Sequence, residues 1–106
     1  MLLTQTTTPE DVKALNRAEL PQLCGEIRQA ILESSAAVGG HVAPNLGVVE
    51  LTVALHRVFN SPIDKIVFDV SHQTYAHKAL TGRAYTYIDP ERYGEASGFA
   101  NPDESE

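Results

Sequence analysis

The run KIVFDV, from Lys65 to Val70, decides how the fold of this 106-residue chain is read. Ile66, Val67 and Phe68 are consecutive apolar residues, whereas a strand with one face in solvent alternates apolar and polar residues. The run therefore predicts a short β-strand that is buried on both faces, as in a parallel sheet. Such a strand needs a neighbouring strand along each edge to satisfy its backbone donors and acceptors.

The sequence before this run predicts helices. Thr8 and Pro9 are typical of a helix start, and Asn16 with Glu19 resembles a second capping arrangement. An amphipathic helix of about five turns follows and ends at the Gly39 and Gly40 pair, because apolar residues recur at steps of three and four. Its predicted apolar face consists of Leu20, Leu23, Ile27 and Ile31.

The segments around the strand predict a loop, two more helices and a tail. Residues 39–47 contain three Gly and one Pro and are expected to form a loop. A helix is predicted to begin near Gly47 and to end at Asn60. A loop and a short helix ended by Gly82 come next, and residues 84–106 are expected to be an irregular tail. The predicted apolar face of the helix after Gly47 consists of Val48, Leu51, Thr52, Leu55, Val58 and Phe59.

These elements place the chain in the α/β class, as the opening helices and the first strand of a parallel-sheet domain. The rest of the chain contains no second run that predicts a strand. The segment is therefore expected to be incomplete on its own. It is either the opening of a larger domain or a chain that pairs with another polypeptide, which completes the sheet.

Composition and charge exclude several classes of function. The chain has 14 acidic and 8 basic residues, which gives a formal net charge of -6, and it has no basic run. Binding to nucleic acid through phosphate contacts is therefore not expected. Cys24 is the only cysteine, so no internal disulfide is expected and a reducing compartment fits best. Without a secretory signal or an apolar run of about 20 residues, a cytoplasmic protein with no membrane partner is expected.

His41 is the first candidate for chemistry. It lies between a glycine pair and a loop that contains Pro44, where little side-chain bulk keeps a ligand away. An imidazole with an unperturbed pKa of about 6.5 gives and takes a proton near neutral pH. The alternative is a loop histidine with a local hydrogen bond, and the residues alone leave both interpretations open.

His72 is the second candidate, because it follows the predicted strand by two residues. Open α/β sheets bind ligands in the crevice outside the carboxyl ends of their strands, so His72 and Gln73 could hydrogen-bond a phosphate oxygen there. The competing interpretation is that Asp69 and Ser71 cap the following helix.

The remaining histidines suggest no metal site. His56 is expected at the edge of its helix, and His77 with Lys78 on a solvated basic face. The spacing of five residues between His72 and His77 does not place both rings on one helical face. No metal ligands are therefore assigned in this chain.

Four motifs occur in a specific order along the chain: GGH at 39–41, NLGVVELT at 45–52, DVSHQ at 69–73 and HKALTGR at 77–83. Together they resemble the 1-deoxy-D-xylulose-5-phosphate synthase family, whose members are thiamine diphosphate enzymes of the transketolase superfamily. The resemblance continues more weakly through GEASGF and the terminal ESE. Ser71 stands where the family usually has glycine, and the chain departs from the family pattern after Arg83.

The resemblance implies that residues 1–106 are the N-terminal part of a thiamine diphosphate-binding domain. It implies a transferase that condenses pyruvate with D-glyceraldehyde 3-phosphate and releases CO2, in isoprenoid precursor, thiamine and pyridoxal biosynthesis. By this resemblance His41 is catalytic, as a proton donor or acceptor, and His72 binds the cofactor diphosphate. Thiamine diphosphate and Mg²⁺ are the implied cofactors, and the family's GDG magnesium motif is not present in these residues.

The same resemblance predicts that the chain is inactive alone and works as a homodimer or with a completing polypeptide. Two other interpretations stay open. One is a non-catalytic remnant that serves as an interaction module, and the other is one subunit of a split transketolase. The serine at position 71 favours the remnant, whereas the intact GGH loop favours the enzyme.

Overall fold

A computed structural model describes residues 1–6, 8–68, 71–100 and 104, and these residues form helices but no β-strand. Within this described part the α-helices are, in chain order, α1 (Leu2–Gln5), α2 (Pro9–Ala14), α3 (Leu20–Val38), α4 (Val42–Leu46), α5 (Val49–Val58), α6 (Tyr75–Lys78) and α7 (Tyr85–Ile88). Tighter 3₁₀ turns occupy Arg17–Glu19, Ser71–Gln73 and Pro90–Arg92, and a wide helical turn covers Ala79–Arg83. None of the described helices is both long and apolar enough to cross a membrane.

The start of α2 and both ends of α3 lie where the local sequence predicts. The Asn16 side chain accepts a hydrogen bond from Glu19 N–H at 3.1 Å, and the Glu19 carboxylate accepts one from Asn16 N–H at 3.0 Å. Thr8 and Asp11 cap α2 in the same reciprocal way. Gly39 ends α3 with a φ of +86°, a conformation that glycine adopts without a steric penalty. The predicted caps and the predicted end of α3 are confirmed.

The core lies around α3, which packs against α1, α4, α5 and α7. The predicted apolar stripe is correct for Leu23, Ile27 and Ile31, each of which is at most 1% exposed. Residues from other elements complete the core, namely Leu3, Val12, Val49, Val53 and Leu80. Since each such side chain contributes roughly 1.5–3 kcal/mol when fully buried, helix packing is a main source of stability for the described residues.

The buried face of α5 matches the predicted one at Thr52 but otherwise differs from it. Leu51 and Val58, which were assigned to the apolar face, are 60% and 70% exposed. The buried face packs against α2, α3 and α6 and consists of Val49, Thr52, Val53 and His56. Two of these four residues are polar, so the sequence pattern favoured the neighbouring stripe, which carries more apolar side chains.

The predicted strand does not form in the described residues. Lys65 to Phe68 have no regular secondary structure, and Val67 is 89% exposed. No backbone hydrogen bond joins these residues to another described segment. The last two residues of the predicted strand, Asp69 and Val70, lie outside the described residues. A strand buried on both faces needs neighbours, and the described part of the chain provides none, so the parallel sheet is not confirmed.

Two segments that were predicted to be irregular are partly helical. The helix α4 lies within the predicted loop 39–47, where Asn45 is fully buried. The helix α7 lies within the predicted tail 84–106, where the ring of Tyr87 packs 5.5 Å from that of Tyr75. Helices this short are stable only through tertiary packing, which local turn chemistry does not encode.

The short helix that ends at Gly82 is confirmed. After α6 the chain continues into the wide turn, which is interrupted at Thr81 and at Gly82, where φ is +96°. Glycine adopts this left-handed conformation readily, and the chain then changes direction into α7.

Candidate functional site

His41 and His72 lie side by side, although they come from separate parts of the chain. Their imidazole rings stack with centroids 4.6 Å apart and planes inclined by 25°. His41 immediately precedes α4, and His72 lies in the 3₁₀ turn before α6. The structure therefore brings together His41, which is expected to be catalytic, and His72, which is expected to bind the cofactor.

Asn45 holds the two histidine segments together. Its fully buried amide donates from Nδ2 to the His41 carbonyl at 2.6 Å and to the His72 carbonyl at 2.5 Å. Its Oδ1 accepts a hydrogen bond from Tyr75 N–H at 2.9 Å. Because both N–H donors and the oxygen of this buried amide have partners, the two segments are fixed relative to each other.

Tyr75 sets the proton arrangement of the His41 ring. Its hydroxyl oxygen accepts a hydrogen bond from His41 N–H at 3.0 Å and lies 3.2 Å from His41 Nδ1. We assign the hydroxyl hydrogen as the donor to Nδ1, which makes Nδ1 the acceptor of the ring in this tautomer. The ring proton is left on Nε2, which has no hydrogen-bond partner within the described residues. His41 therefore offers an N–H donor to a ligand.

A cavity of about 340 Å³ opens beside His41. Glycine backbone forms part of its wall at Gly40 and Gly98, and no acidic side chain among the described residues lines it. At Gly40, where φ is +155°, a Cβ would lie 2.9 Å from Ser35 Oγ and 3.1 Å from the Tyr75 hydroxyl. The backbone can approach these groups only because the residue is glycine. His72 does not line this cavity.

Phe99 covers both imidazoles from a third segment of the chain. Its ring meets His41 edge-on with centroids 5.1 Å apart, and it lies 6.5 Å from the ring of His72. Asn45, Tyr75 and Phe99 were not predicted as site residues from the sequence. Asn45 lies in the NLG motif and Tyr75 follows DVSHQ, and these motif positions were the available signal. Apart from the bond between Asn45 and the nearby His41 carbonyl, their site contacts join residues that are distant in sequence.

The other two histidines form a separate buried pair. His56 is fully buried, and its Nε2 lies 2.9 Å from Nδ1 of His77. Burial lowers the pKa of His56, and the charge of Lys13 lowers it further. Burial, His56 and the nearby Arg83 lower the pKa of His77 to about 4. The predicted helix-edge position of His56 is wrong, as is the predicted solvated face, because Lys78 is only 1% exposed.

The described residues contain no candidate metal centre. Nowhere among them do three or more His, Cys, Asp or Glu side chains converge closely enough to hold a metal ion. Mg²⁺ prefers oxygen ligands in octahedral geometry, which the pair of imidazoles does not offer. The candidate site is thus two stacked imidazoles beside a cavity with glycine in its wall.

Comparison with known proteins points to one family. A family model described as 1-deoxy-D-xylulose-5-phosphate synthase matches residues 3–106. A 1-deoxy-D-xylulose-5-phosphate synthase from Symbiobacterium thermophilum is 57% identical over 105 residues, and one from Pelotomaculum thermopropionicum is 50% identical over 104 residues. A third, from Nocardia farcinica, is 53% identical over 104 residues. These matches cover 98 to 99% of this chain but only 16% of the length of each relative.

Proposed function

Because this chain belongs to the 1-deoxy-D-xylulose-5-phosphate synthase family and corresponds to an N-terminal segment of it, we propose that it supplies part of a thiamine diphosphate site. In the complete enzyme, pyruvate and D-glyceraldehyde 3-phosphate condense with release of CO2. His41 takes a catalytic role, and His72 binds the cofactor diphosphate. The observation that supports this assignment best is the stacked pair of imidazoles, held together by Asn45.

The surroundings of His41 fit an anionic cofactor. Two imidazoles lie together, no described acidic side chain lines the adjacent cavity, and each imidazole can donate a hydrogen bond to a phosphate oxygen. Glycine at positions 40 and 98 permits a close approach to the backbone. When bound, thiamine diphosphate supplies the electron sink for breaking and forming bonds at a carbonyl carbon. The residues of this chain contribute binding, orientation and proton transfer.

His41 is suited to hold a proton at Nε2. The Tyr75 hydroxyl occupies the Nδ1 side of the ring, so Nε2 is the nitrogen left for a substrate oxygen. Imidazole exchanges protons near neutral pH more readily than other side chains do. Asn45 donates a hydrogen bond to the His41 carbonyl, and His41 N–H donates one to the Tyr75 hydroxyl, so the His41 backbone is fixed. The contact between the same hydroxyl and Nδ1 orients the ring, which keeps Nε2 at a defined position during the reaction.

The rest of the site comes from polypeptide outside these residues. The relatives are several times longer than this chain, and Mg²⁺ ligands are not assembled within its described part. Lys65 to Phe68 have no strand partner in the part of the chain that the structure describes, and the exposed side chains of Ile63 and Val67 lie in or beside this segment. We propose that the segment joins a parallel sheet of the completing polypeptide, either further residues of the same protein or a homodimer partner.

A chimera tests this proposal. In the Symbiobacterium thermophilum relative, the aligned segment is replaced by the present chain, and product formation is measured with thiamine diphosphate and Mg²⁺ supplied. We expect the chimera to be active and the relative without its segment to be inactive. A folded chimera that neither binds the cofactor nor forms product would contradict the enzyme assignment and favour an interaction module.

The roles of the two histidines are separated in the same chimera. His41→Asn keeps a polar group near Tyr75 but removes Nε2, so we expect turnover to fall roughly 10²- to 10⁴-fold with little change in cofactor affinity. His72→Asn should weaken cofactor binding more than it lowers turnover at saturating cofactor. Arg17→Ala, an exposed position in the turn before α3, is the control and should change neither quantity. Equal effects of both histidine variants on both quantities would refute the assignment.

A further inference from the structure

Lys78 is buried beneath the segment that covers His41. Its side chain is only 1% exposed, and its Nζ donates to the carbonyls of Ser97 at 2.6 Å and Phe99 at 2.7 Å. It also pairs with Oε1 of Glu104 at 2.9 Å. These three acceptors match the three hydrogens of the ammonium group. Replacing Lys78 by an apolar residue would leave the two carbonyls without this donor.

Glu104 holds the same segment from its other side. Its Oε2 accepts a hydrogen bond from Ser97 N–H at 2.7 Å, and its Oε1 also pairs with Arg83 Nη1 at 3.1 Å. Burial alone raises the pKa of the Glu104 carboxyl, but the hydrogen bonds from Ser97 and Lys78 outweigh it and hold the pKa below its ordinary value. Ser97 is thus fixed at its N–H by Glu104 and at its carbonyl by Lys78.

The two residues after Ser97 lie against His41. Gly98 is so close that a Cβ on it would lie 3.4 Å from His41 Cε1. The Phe99 ring meets the imidazole edge-on at 5.1 Å. Because Phe99 is 52% exposed, the surrounding core does not confine its side chain. Its contact with His41 therefore depends on the place at which Lys78 holds its backbone.

We propose that Lys78 is a positioning residue for the His41 site. Together with Glu104 it holds residues 97–99 as a cover on the imidazole, and Ser97 and Gly98 of this segment form part of the wall of the adjacent cavity. Arg83 also pairs with Glu104, so the contribution that Lys78 alone makes is its bonds to the two carbonyls. The inference rests on the proposed function only in taking His41 as the group that exchanges protons.

Histidine-ring NMR of the 106-residue chain tests the inference without any cofactor. The Cε1–H resonance of His41 lies beside Gly98 and Phe99, so the phenyl ring current displaces it. Phe99→Leu removes the phenyl ring and measures the size of that displacement. We expect Lys78→Met to lose most of the displacement. Lys78→Arg retains the donors and should keep most of the displacement.

A matched control and a second variant make the test decisive. Lys65→Met removes an exposed lysine and should leave the His41 resonance unchanged. If Lys78→Met fails to fold, Glu104→Ala frees the Ser97 N–H and should move the same resonance. An unchanged His41 resonance in a folded Lys78→Met or Glu104→Ala protein would overturn the inference. An inactive chimera would not affect this result, because the two experiments share no readout.

Discussion

Mild acid should destabilise this chain through its buried histidine pair. His56 Nδ1 has no hydrogen-bond partner among the described residues, so the His56 proton is assigned to Nε2, which donates to His77 Nδ1 at 2.9 Å. A proton added to His77 would break this hydrogen bond. It would also place a cation in a buried position near Lys78 and Arg83.

The magnitude follows from the two pKa values of His77. Its pKa is about 4 in the folded chain and 6.5 for an unperturbed histidine, so the unfolded chain takes up a proton between these values and the folded chain does not. The folded-state pKa is depressed, and the stabilisation is therefore complete above pH 6.5 and is lost as the pH falls towards 4. At roughly 1.4 kcal/mol per pKa unit, the total loss is about 3 kcal/mol. His56 acts in the same direction.

Urea unfolding followed by circular dichroism measures this effect at several pH values from about 7 to about 5. In this range the histidines dominate, because the pKa values of the carboxyls of Glu26, Glu50 and Glu104 lie below their ordinary value of 4.5. His77→Asn retains a polar group near Nδ1 but does not titrate, so its unfolding free energy should depend less on pH. The reasoning is refuted if the original chain and His77→Asn show the same pH dependence, or if acidification stabilises the chain.

Three further substitutions and one matched control test the packing of the site and its supports. Asn45→Ala should destabilise the chain by about 2–4 kcal/mol in urea unfolding, because two partly buried carbonyls and one buried N–H lose their partner. A loss below about 1 kcal/mol would show that Asn45 does not hold the two segments. Gly40→Ala should lower the unfolding free energy by roughly 1–3 kcal/mol, since φ is +155° and the new Cβ meets Ser35 Oγ. Gly25→Ala is the matched control. Gly25 lies in the interior of α3, and a Cβ added there meets open space. This substitution should raise the unfolding free energy by about 0.5–1 kcal/mol. Arg57→Ala removes a donor to three carbonyls at the end of α2. Relative to the original chain, we expect amide hydrogen exchange to become faster in α2, with a smaller change in α3.

The parts of the fold that depend on local chemistry were predictable from sequence. The reciprocal caps at Thr8 and Asn16 and the glycine stop at Gly39 involve residues within a few positions of one another. The helix between Asn16 and Gly39 also has a regular apolar period, so its core residues could be assigned. These features need no knowledge of the rest of the chain.

The parts that depend on distant neighbours were not predictable. The buried stripe of α5 includes Val53 and His56, which were not assigned to its apolar face and are buried because α2, α3 and α6 pack against that side. The run from Lys65 to Phe68 has the composition of a buried strand but no neighbour to pair with in the described residues. Sequence composition shows what a segment can form, whereas its partners decide whether it does.

The candidate site was also predictable from sequence only in part. The loop positions of His41 and His72 indicated a ligand, but their stacking at 4.6 Å could not be inferred from either loop. That contact depends on Asn45, which bonds to carbonyls of both segments. Lys78 was assigned to solvent because its acceptors at Ser97 and Phe99 are about twenty residues further along the chain. Long-range hydrogen bonds leave no periodic signal in a sequence.

Calorimetric titration of thiamine diphosphate with Mg²⁺ tests most directly whether this chain forms one part of a site that other polypeptide completes. The titration is run on the 106-residue chain and on the chimera with the Symbiobacterium thermophilum relative. We expect no measurable binding heat with the chain alone and saturable binding with the chimera, weakened by His72→Asn. Binding to the chain alone with the affinity of the chimera, or no binding to a folded chimera, would contradict the account.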